Sequence, residues 1–481
     1  TTNDLWIAGE FNNSGTATFD VNFDEYKTIY FEGKWTNGAS ATFSAQSGTI
    51  VFANTAAETK DFDSGGDSLS KLNIGNTDPV IITTGTLRLA NHLTLSGGLY
   101  HYVGTIDASA GTYNISVADT YTFGIDAGGT VGAVAVAFTG GAGTVEVGVV
   151  GVGNFNITRD TKATEPYSTS VFTAGSGTIT VSGNMSIING ATFTKGPSGL
   201  IVFNEGSGLT SDGEDMGNIR ISAAAGGDAT TLTLQDSLNA DNITIDANQF
   251  LDVKLNVNNA ISCGGNWDNN GTFTARSGTV TFDGSANQDI DAGSSGFNNV
   301  TLSNNTFTLS TSTMTVGGNL VISEGKTPTI TSNLNESFAV TGTTDGTNGG
   351  GVETLAVNTG TGTVTFTGAV GTGDTDMLTA LTITNSGTLL FSSTLNITGV
   401  LSQTNAATGT TTFSNIVAVG SATLRGVAYS VNNSFTAAAA GAVAVTNSGL
   451  FTKGATGAIV APGGFSTSGA ASLANNITTT N

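Results

Sequence analysis

The chain has 481 residues, of which 67 are Gly and 5 are Pro, and only 10% are charged. Lys and Arg number 14 against 36 Asp and Glu, which gives a formal net charge of -22. Nucleic acids and anionic membrane surfaces both select basic proteins, so this balance argues against either as a partner. The acidity is more typical of solubility and self-repulsion in a secreted protein.

Residue usage predicts an all-β fold. Hydrophobic residues make up 38% of the chain and include 25 Phe, which is ample material for a core. Small and β-branched residues dominate the rest, and almost no segment has a helical period. The single Cys excludes a disulfide within the chain. No run approaches the roughly 18 apolar residues that a membrane helix requires. The chain opens at Thr1 without Met, so we expect a mature or trimmed segment.

The first predicted region, residues 1–130, contains short strands of period 2 separated by Gly, Asn or Ser turns. Residues 33–38 lead into the strand at 47–52, and residues 69–74 have a large apolar residue, two small or polar residues, and then apolar, polar, apolar. Residues 131–182 follow as a degenerate or inserted segment, because a charged stretch with Pro at 159–166 interrupts the pattern there.

The best-formed repeats lie in residues 183–403. The pattern of residues 69–74 returns there three times, and its central residues Ile219, Val300 and Leu381 follow one another at intervals of 81 residues. Residues 404–481 are expected to be a degenerate, Ala/Gly-rich cap or assembly region, since terminal repeats of stacked arrays are often atypical.

This regular spacing predicts a repeat architecture. The favoured fold is a parallel β-helix, or β-solenoid, built from degenerate repeats of about 80 residues, each holding three or four coils of about 20 to 25 residues. Tandem small β-sandwich domains are the alternative, with one domain per repeat. The solenoid is favoured because pairs of inward residues recur without linkers, and the chain has only 5 Pro.

Residues 264–320 contain the strings Gly-Asn-Trp-Asp-Asn-Asn-Gly-Thr-Phe, Ser-Gly-Thr-Val-Thr-Phe and Phe-Asn-Asn-Val-Thr-Leu. These strings resemble the repeats of secreted bacterial and archaeal surface proteins, which are Gly/Thr/Asn-rich β-solenoids similar to adhesin stalks of the filamentous-haemagglutinin type or to extracellular filament subunits. The resemblance is weaker for residues 33–52 and 362–401. It implies an extracellular structural or adhesive role and transfers no catalytic residue.

Residues that could carry chemistry are scarce. His92 and His101 are the only two His residues, so a His-based triad or a zinc site has little to build on, and both are expected to be structural. Two acidic clusters could serve as the carboxylates of a polysaccharide-acting β-helix enzyme, or as a weak calcium site. Turn-forming Asp is the favoured explanation of both. The clusters comprise Asp212, Glu214 and Asp215, and Asp374 and Asp376.

Aromatic residues have a packing interpretation as well. Trp35 and Trp267 share one position of the repeat, which Met185 occupies in a third copy. A position that accepts Met is expected to pack in a core rather than to stack on a sugar.

The sequence therefore predicts an extracellular or cell-surface structural protein with no catalytic site and no cofactor. We expect it to be a self-assembling subunit of a filament, sheath or surface layer, a homopolymer joined end to end or by strand addition. A stalk segment of a large adhesin is the alternative, and a polysaccharide-acting enzyme is the second alternative. Surface glycans are a candidate partner.

Overall fold

The computed structural model describes residues 4–20, 28–44, 46–77, 80–81, 85–123, 135–147, 154–158, 169–224, 227, 229–347, 352–373, 376–404 and 409–479. In these residues the chain forms an all-β parallel β-solenoid of about 19 turns, with roughly 22 residues to a turn and no helix. The solenoid prediction is confirmed, and tandem sandwiches are not the fold that the chain adopts. Within the described ranges, no helix has the length and apolar character needed to span a membrane.

The described residues form 61 short strands. In chain order, β1 to β30 are Leu5–Ile7, Phe11–Asn13, Thr18–Asp20, Thr28–Phe31, Trp35–Asn37, Thr42–Ser44, Thr49–Phe52, Thr59–Asp63, Ser68–Leu69, Lys71–Ile74, Asn76–Thr77, Val80–Ile81, Thr86–Leu89, Leu93–Leu95, Leu99–His101, Gly104–Asp107, Ile115–Val117, Tyr121–Phe123, Ala135–Thr139, Val145–Val147, Phe155–Thr158, Thr169–Thr173, Thr178–Val181, Met185–Ile188, Thr192–Thr194, Leu200–Phe203, Ser207–Thr210, Asn218–Ile221, Thr231–Leu234 and Leu238–Ala240. Strands β31 to β61 are Ile243–Ile245, Phe250–Asp252, Ile261–Cys263, Trp267–Asn269, Thr272–Thr274, Thr279–Phe282, Gln288–Asp291, Asn299–Leu302, Thr306–Leu309, Met314–Val316, Leu320–Ile322, Thr329–Ser332, Phe338–Val340, Thr344–Gly346, Thr354–Asn358, Val364–Phe366, Ala380–Asn385, Leu389–Phe391, Leu395–Asn396, Val400–Gln403, Thr410–Phe413, Val417–Val419, Ser421–Gly426, Ala428–Val431, Phe435–Ala437, Val443–Asn447, Phe451–Lys453, Ile459–Val460, Phe465–Thr467, Ala471–Leu473 and Ile477–Thr478.

The chain divides into two compact units. The first contains Thr1–Ala240 and Asn248–Asp252, and the second contains Asp241–Ala247 and Val253–Asn481. The four segments inferred from the sequence, residues 1–130, 131–182, 183–403 and 404–481, describe how regular the repeats are and stay a prediction.

In the first unit, three consecutive strands make one coil, and each of the three lies in a different sheet. Strands β13, β14 and β15 pair in parallel with β16, β17 and β18 of the next coil. This register places Leu93 against Ile115 and Leu99 against Tyr121, and all four side chains are buried. Because side chains alternate along a strand, every second residue joins such an internal column while its neighbours face solvent.

The second unit follows the same rule and contains an aromatic column. Phe366, Phe391 and Phe413 occupy aligned positions of β46, β48 and β51. Their ring centroids are 5.2 and 5.3 Å apart, and each neighbouring pair of rings is within 4° of parallel. Offset stacking of this kind adds to the burial of the rings, so the column fixes the alignment of successive coils.

The 81-residue spacing is not the structural period. Val300 lies in β38 and Leu381 in β47, which belong to different sheets of the second unit. A turn has roughly 22 residues, so 81 residues do not complete a whole number of turns. The 81-residue spacing therefore reflects a repeated strand with its flanking turns. The successive copies of that strand at Val300 and Leu381 lie in different sheets of the solenoid.

The many Asn residues bond one coil to the next. In the second unit, Asn299 Oδ1 accepts the backbone N–H of Asn319 at 3.0 Å, and Asn319 Oδ1 accepts that of Thr343 at 2.9 Å. Each side-chain oxygen thus satisfies a backbone donor at the turn before the following strand.

Glycines stack at one corner of the first unit, where backbones of successive coils touch. A Cβ atom on Gly175 would lie 1.7 Å from the carbonyl oxygen of Gly141, and one on Gly196 would lie 1.8 Å from that of Gly175. Backbone atoms cannot rotate aside as a side chain can. We expect Gly175→Ala to lower the free energy of unfolding of this unit by about 2 kcal/mol, measured by chemical denaturation.

Gly206→Ala is the matched control, because a Cβ atom there would have no other atom within 4 Å. Its effect should stay within about 0.5 kcal/mol. Equal losses in the two variants would show that the corner contact is not the cause.

Candidate functional site

The first acidic cluster lies in the first unit, in the turn between β27 and β28. Asp212 has a left-handed φ of 53°, and its Oδ2 accepts the backbone N–H of Gly190 at 2.8 Å. Asp215 Oδ1 accepts the N–H of Gly217 at 2.9 Å, and its Oδ2 lies 2.6 Å from Lys195 Nζ. Both carboxylates therefore bind groups of the chain itself and hold the turn.

Two further carboxyl groups lie at this turn, that of Glu214 within it and that of Asp236 from the following coil. Burial raises the pKa of Glu214, and the negative charge of Asp212 raises it further, against a backbone hydrogen bond from Phe193 that lowers it. Asp236 was not a candidate from the sequence, yet its Oδ2 accepts the backbone N–H of Asp212 at 2.7 Å and that of Ser211 at 3.0 Å. It lies one coil after the cluster, and the sequence signal for it was only the recurrence of Asp in turns.

The second acidic cluster is described only in part. Asp374 lies outside the described residues. The carbonyl oxygen of Asp376 accepts the backbone N–H of Gly346 at 2.7 Å. In the part of the chain that the structure describes, no three His, Cys, Asp or Glu side chains are grouped so that they could hold a metal ion.

The remaining candidates for chemistry also make contacts within the fold. His92 is exposed, and its Nδ1 accepts the backbone N–H of Asn114 at 2.9 Å. Burial raises the pKa of the Cys263 thiol to about 12, which disfavours a reactive thiolate. Trp35, Trp267 and Met185 are all buried, as the packing interpretation predicts.

The first described coil leaves core positions uncovered. Leu5 of β1 is aligned with Ile29 of β4, which is fully buried, yet Leu5 itself is 39% exposed. Phe11 of β2 is aligned with the buried Trp35 and is itself only partly covered. Each of these side chains occupies an inward position, and among the described residues a coil covers it on one side only.

The last described coil, formed by β59, β60 and β61, is uncovered in the same way. Leu473 is aligned with Lys453, which is fully buried, but Leu473 is 47% exposed. Ala471 is exposed although its partner Phe451 is buried. Among the described residues, the three strands of this coil pair in parallel only with β56, β57 and β58, which all belong to the preceding coil.

Lys453 is a feature that sequence reasoning missed. It occupies an inward position of β57, and burial lowers its pKa. Its Nζ donates to the carbonyl oxygens of Gly454 at 2.8 Å and Thr456 at 2.6 Å. The chain carbonyls thus compensate the buried ammonium group.

Among the described residues, the uncovered coils most resemble a site for a partner, since they expose side chains at positions whose aligned residues in the adjacent coil are buried. Comparison with protein-family models, with curated proteins and with solved structures found no match to this chain.

Proposed function

We propose that this chain is an extracellular structural protein whose coils stack on those of further copies to build a cell-surface filament, sheath or surface layer. The single observation that carries the proposal is the exposure of inward residues on the first and last described coils, above all Leu5 and Leu473. The apolar surface of these residues is removed from water only when another coil covers them.

A second copy can supply that coil. The described pairings between coils are parallel and align one inward residue with the next, so copies stacked head to tail would meet in the same strand direction. Unpaired strand edges favour the addition of a further strand. The acidic composition supports an extracellular setting, and the charge of -22 would oppose lateral clumping of copies.

A stalk segment of a large adhesin is the second candidate, and the same uncovered coils favour it. There the covering coils would belong to the same polypeptide rather than to another copy. The two candidates share the stacking chemistry and differ in whether assembly depends on protein concentration.

The experiment is negative-stain electron microscopy and sedimentation of the purified chain over a range of concentrations, in buffer near physiological salt so that charge repulsion is screened. We expect fibres that grow with concentration. Leu473→Lys should prevent them, because an added coil would have to bury a second ammonium group at the position aligned with Lys453, which is already fully buried.

Leu334→Lys is the matched control. Leu334 is 64% exposed, and it lies in a turn between β42 and β43, away from the uncovered coils. Fibres should form with this variant as with the original chain. Single particles at every concentration would contradict the filament proposal and favour the stalk, and fibres that persist with Leu473→Lys would place the contact elsewhere.

A further inference from the structure

A shallow groove of about 450 Å³ lies on the outer surface of the first unit, apart from the uncovered coils. Apart from the buried Met185, its lining residues are Asn, Gln, Ser, Thr and Gly, none of which is charged. In a chain with a net charge of -22, a lining made only of amides, hydroxyls and backbone is a specific chemical environment. The lining residues are Asn154, Asn156, Asn184, Ser186, Gly208, Thr210 and Gln235.

Strand register arranges these residues in two parallel rows. One row contains Asn154, Asn184 and Gly208, and the other runs through Asn156, Ser186 and Thr210 to Gln235. Residues two apart on a strand are separated by about 6.6 Å, and neighbouring coils by about 4.8 Å. Gly208 has no side chain where the first row would continue, and the amides of Asn184 and Gln235 close over this position, since a Cβ atom there would lie 3.0 Å from Asn184 Oδ1 and 3.1 Å from Gln235 Nε2.

Hydrogen bonds orient the amides of the first row. Asn154 Oδ1 accepts the backbone N–H of Asn184 at 3.0 Å, and Asn184 Oδ1 accepts that of Gly208 at 2.7 Å. The next coil holds each oxygen, and among the described residues no hydrogen bond engages the Nδ2 group of either side chain, so both are available as donors. The row therefore presents fixed donors at the spacing of the coils, with the Ser186 and Thr210 hydroxyls beside them.

We propose that this groove binds a neutral, extended β-linked polysaccharide that runs along the rows, across the strands. Amide donors and hydroxyls pair with sugar hydroxyl and ring oxygens without the cost of desolvating a charge. An extended β-linked chain advances by about one coil spacing per sugar, so successive sugars meet successive amides. A peptide strand would instead need an open backbone edge, and here the strands are paired on both sides.

The groove has no aromatic platform among its lining residues, so we expect weak binding, with a Kd on the order of 1 mM. The test is isothermal titration calorimetry of the whole chain with cellohexaose, with maltohexaose as the comparison, because α-linked glucose does not form a straight extended chain. Binding of cellohexaose alone is the expected result. No binding at millimolar concentration, or equal binding of both sugars, would overturn the proposal.

Two pairs of variants separate the groove from general surface effects. Ser186→Leu fills the groove with apolar bulk and should abolish binding. Its control is Thr365→Leu, at an outward strand position of the second unit whose aligned neighbour is already Leu390. Binding that survives Ser186→Leu contradicts the assigned groove.

Asn184→Asp keeps an oxygen for the Gly208 N–H and removes the two donors, and it should weaken cellohexaose binding by at least about fivefold. Asn319→Asp makes the same exchange in an Asn that also accepts the N–H of the following coil, and it should leave binding unchanged. Unchanged or tighter binding by Asn184→Asp would show that the amide donors do not hold the sugar. Melting curves of all four variants establish that they fold.

Discussion

Replacing Gln288 with Met is expected to lower the free energy of unfolding of the second unit by about 4 kcal/mol. Gln288 is fully buried at an inward position of β37. Its Nε2 donates to the carbonyl oxygens of Cys263 at 2.9 Å and Gly265 at 2.7 Å. Its Oε1 accepts the Gly284 backbone N–H at 3.0 Å and Asn304 Nδ2 at 3.2 Å. Met has a similar length and replaces none of these bonds.

The reference for this variant is Ile290→Val in the same strand, which removes one buried methyl group and should cost about 1 kcal/mol. Chemical denaturation gives the total effect, and hydrogen exchange at the amides of β37 shows whether the loss is local, as expected when contacts run only between neighbouring coils. If Gln288→Met costs no more than Ile290→Val, the buried amide network contributes little beyond its packing.

Acid is expected to destabilise the first unit through His101. This side chain is fully buried, its Nε2 lies 3.0 Å from the Gly104 carbonyl oxygen, and its ring packs edge-on against Phe123. Nδ1 has no hydrogen-bond partner among the described residues. Burial lowers the pKa of His101 from 6.5 to about 3, while the hydrogen bond to Gly104 opposes the shift.

The sign follows from which state binds the proton. Below pH 6.5 the unfolded chain protonates His101 and the folded chain does not until about pH 3, so stability is full above pH 6.5 and declines as the pH falls. Each pH unit in this window is worth up to about 1.4 kcal/mol, or about 3 kcal/mol by pH 4. Denaturation curves collected from pH 7 to pH 4 measure this decline.

His101→Gln should flatten the decline by about that amount, because Gln can donate to Gly104 and does not titrate. Carboxylates titrate in the same range, so the informative quantity is the difference between the variant and the original chain. His92→Gln, which replaces the other, exposed His ring, is the comparison variant. A His101→Gln variant with the original slope would rule out this side chain as the source.

Much of the fold could be predicted from the sequence because its signals are local. Period-2 strands with Gly and Asn turns predict short strands, and the absence of linkers predicts stacked coils rather than separate sandwiches. The burial of Trp35 and Trp267 was predictable from a repeat position that also accepts Met185. In each case the information lies within a few neighbouring residues.

The polar interior could not be predicted in this way. Gln288 and Lys453 occupy positions where the pattern calls for an apolar residue, so in sequence they look like interruptions. The carbonyl of Cys263, which Gln288 binds, lies one coil away, and nothing in the local pattern marks it. The sheet to which each strand belongs could not be predicted either, because it depends on the number of residues in every preceding turn.

In the candidate site, too, contacts within one turn could be predicted and contacts between coils could not. Turn-forming Asp was the favoured interpretation of Asp212 and Asp215, and their hydrogen bonds agree with it. Asp236 joins the turn from the next coil and had no local signal. Filament assembly, extracellular location and calcium binding stay predictions, because they concern partners of the chain rather than its own packing.

The buried polar groups affect which coils pair with one another when this repetitive chain folds. Coils with similar Val, Ile, Leu and Phe columns could pair with the wrong neighbour at little loss of apolar contact. A coil displaced by one turn would bury Gln288 or the linked pair Asn13 and Asn37 away from the groups that satisfy them. Because mispairing would leave these few buried polar groups without hydrogen-bond partners, they specify which coil packs beside each of them. The apolar columns alone do not specify this.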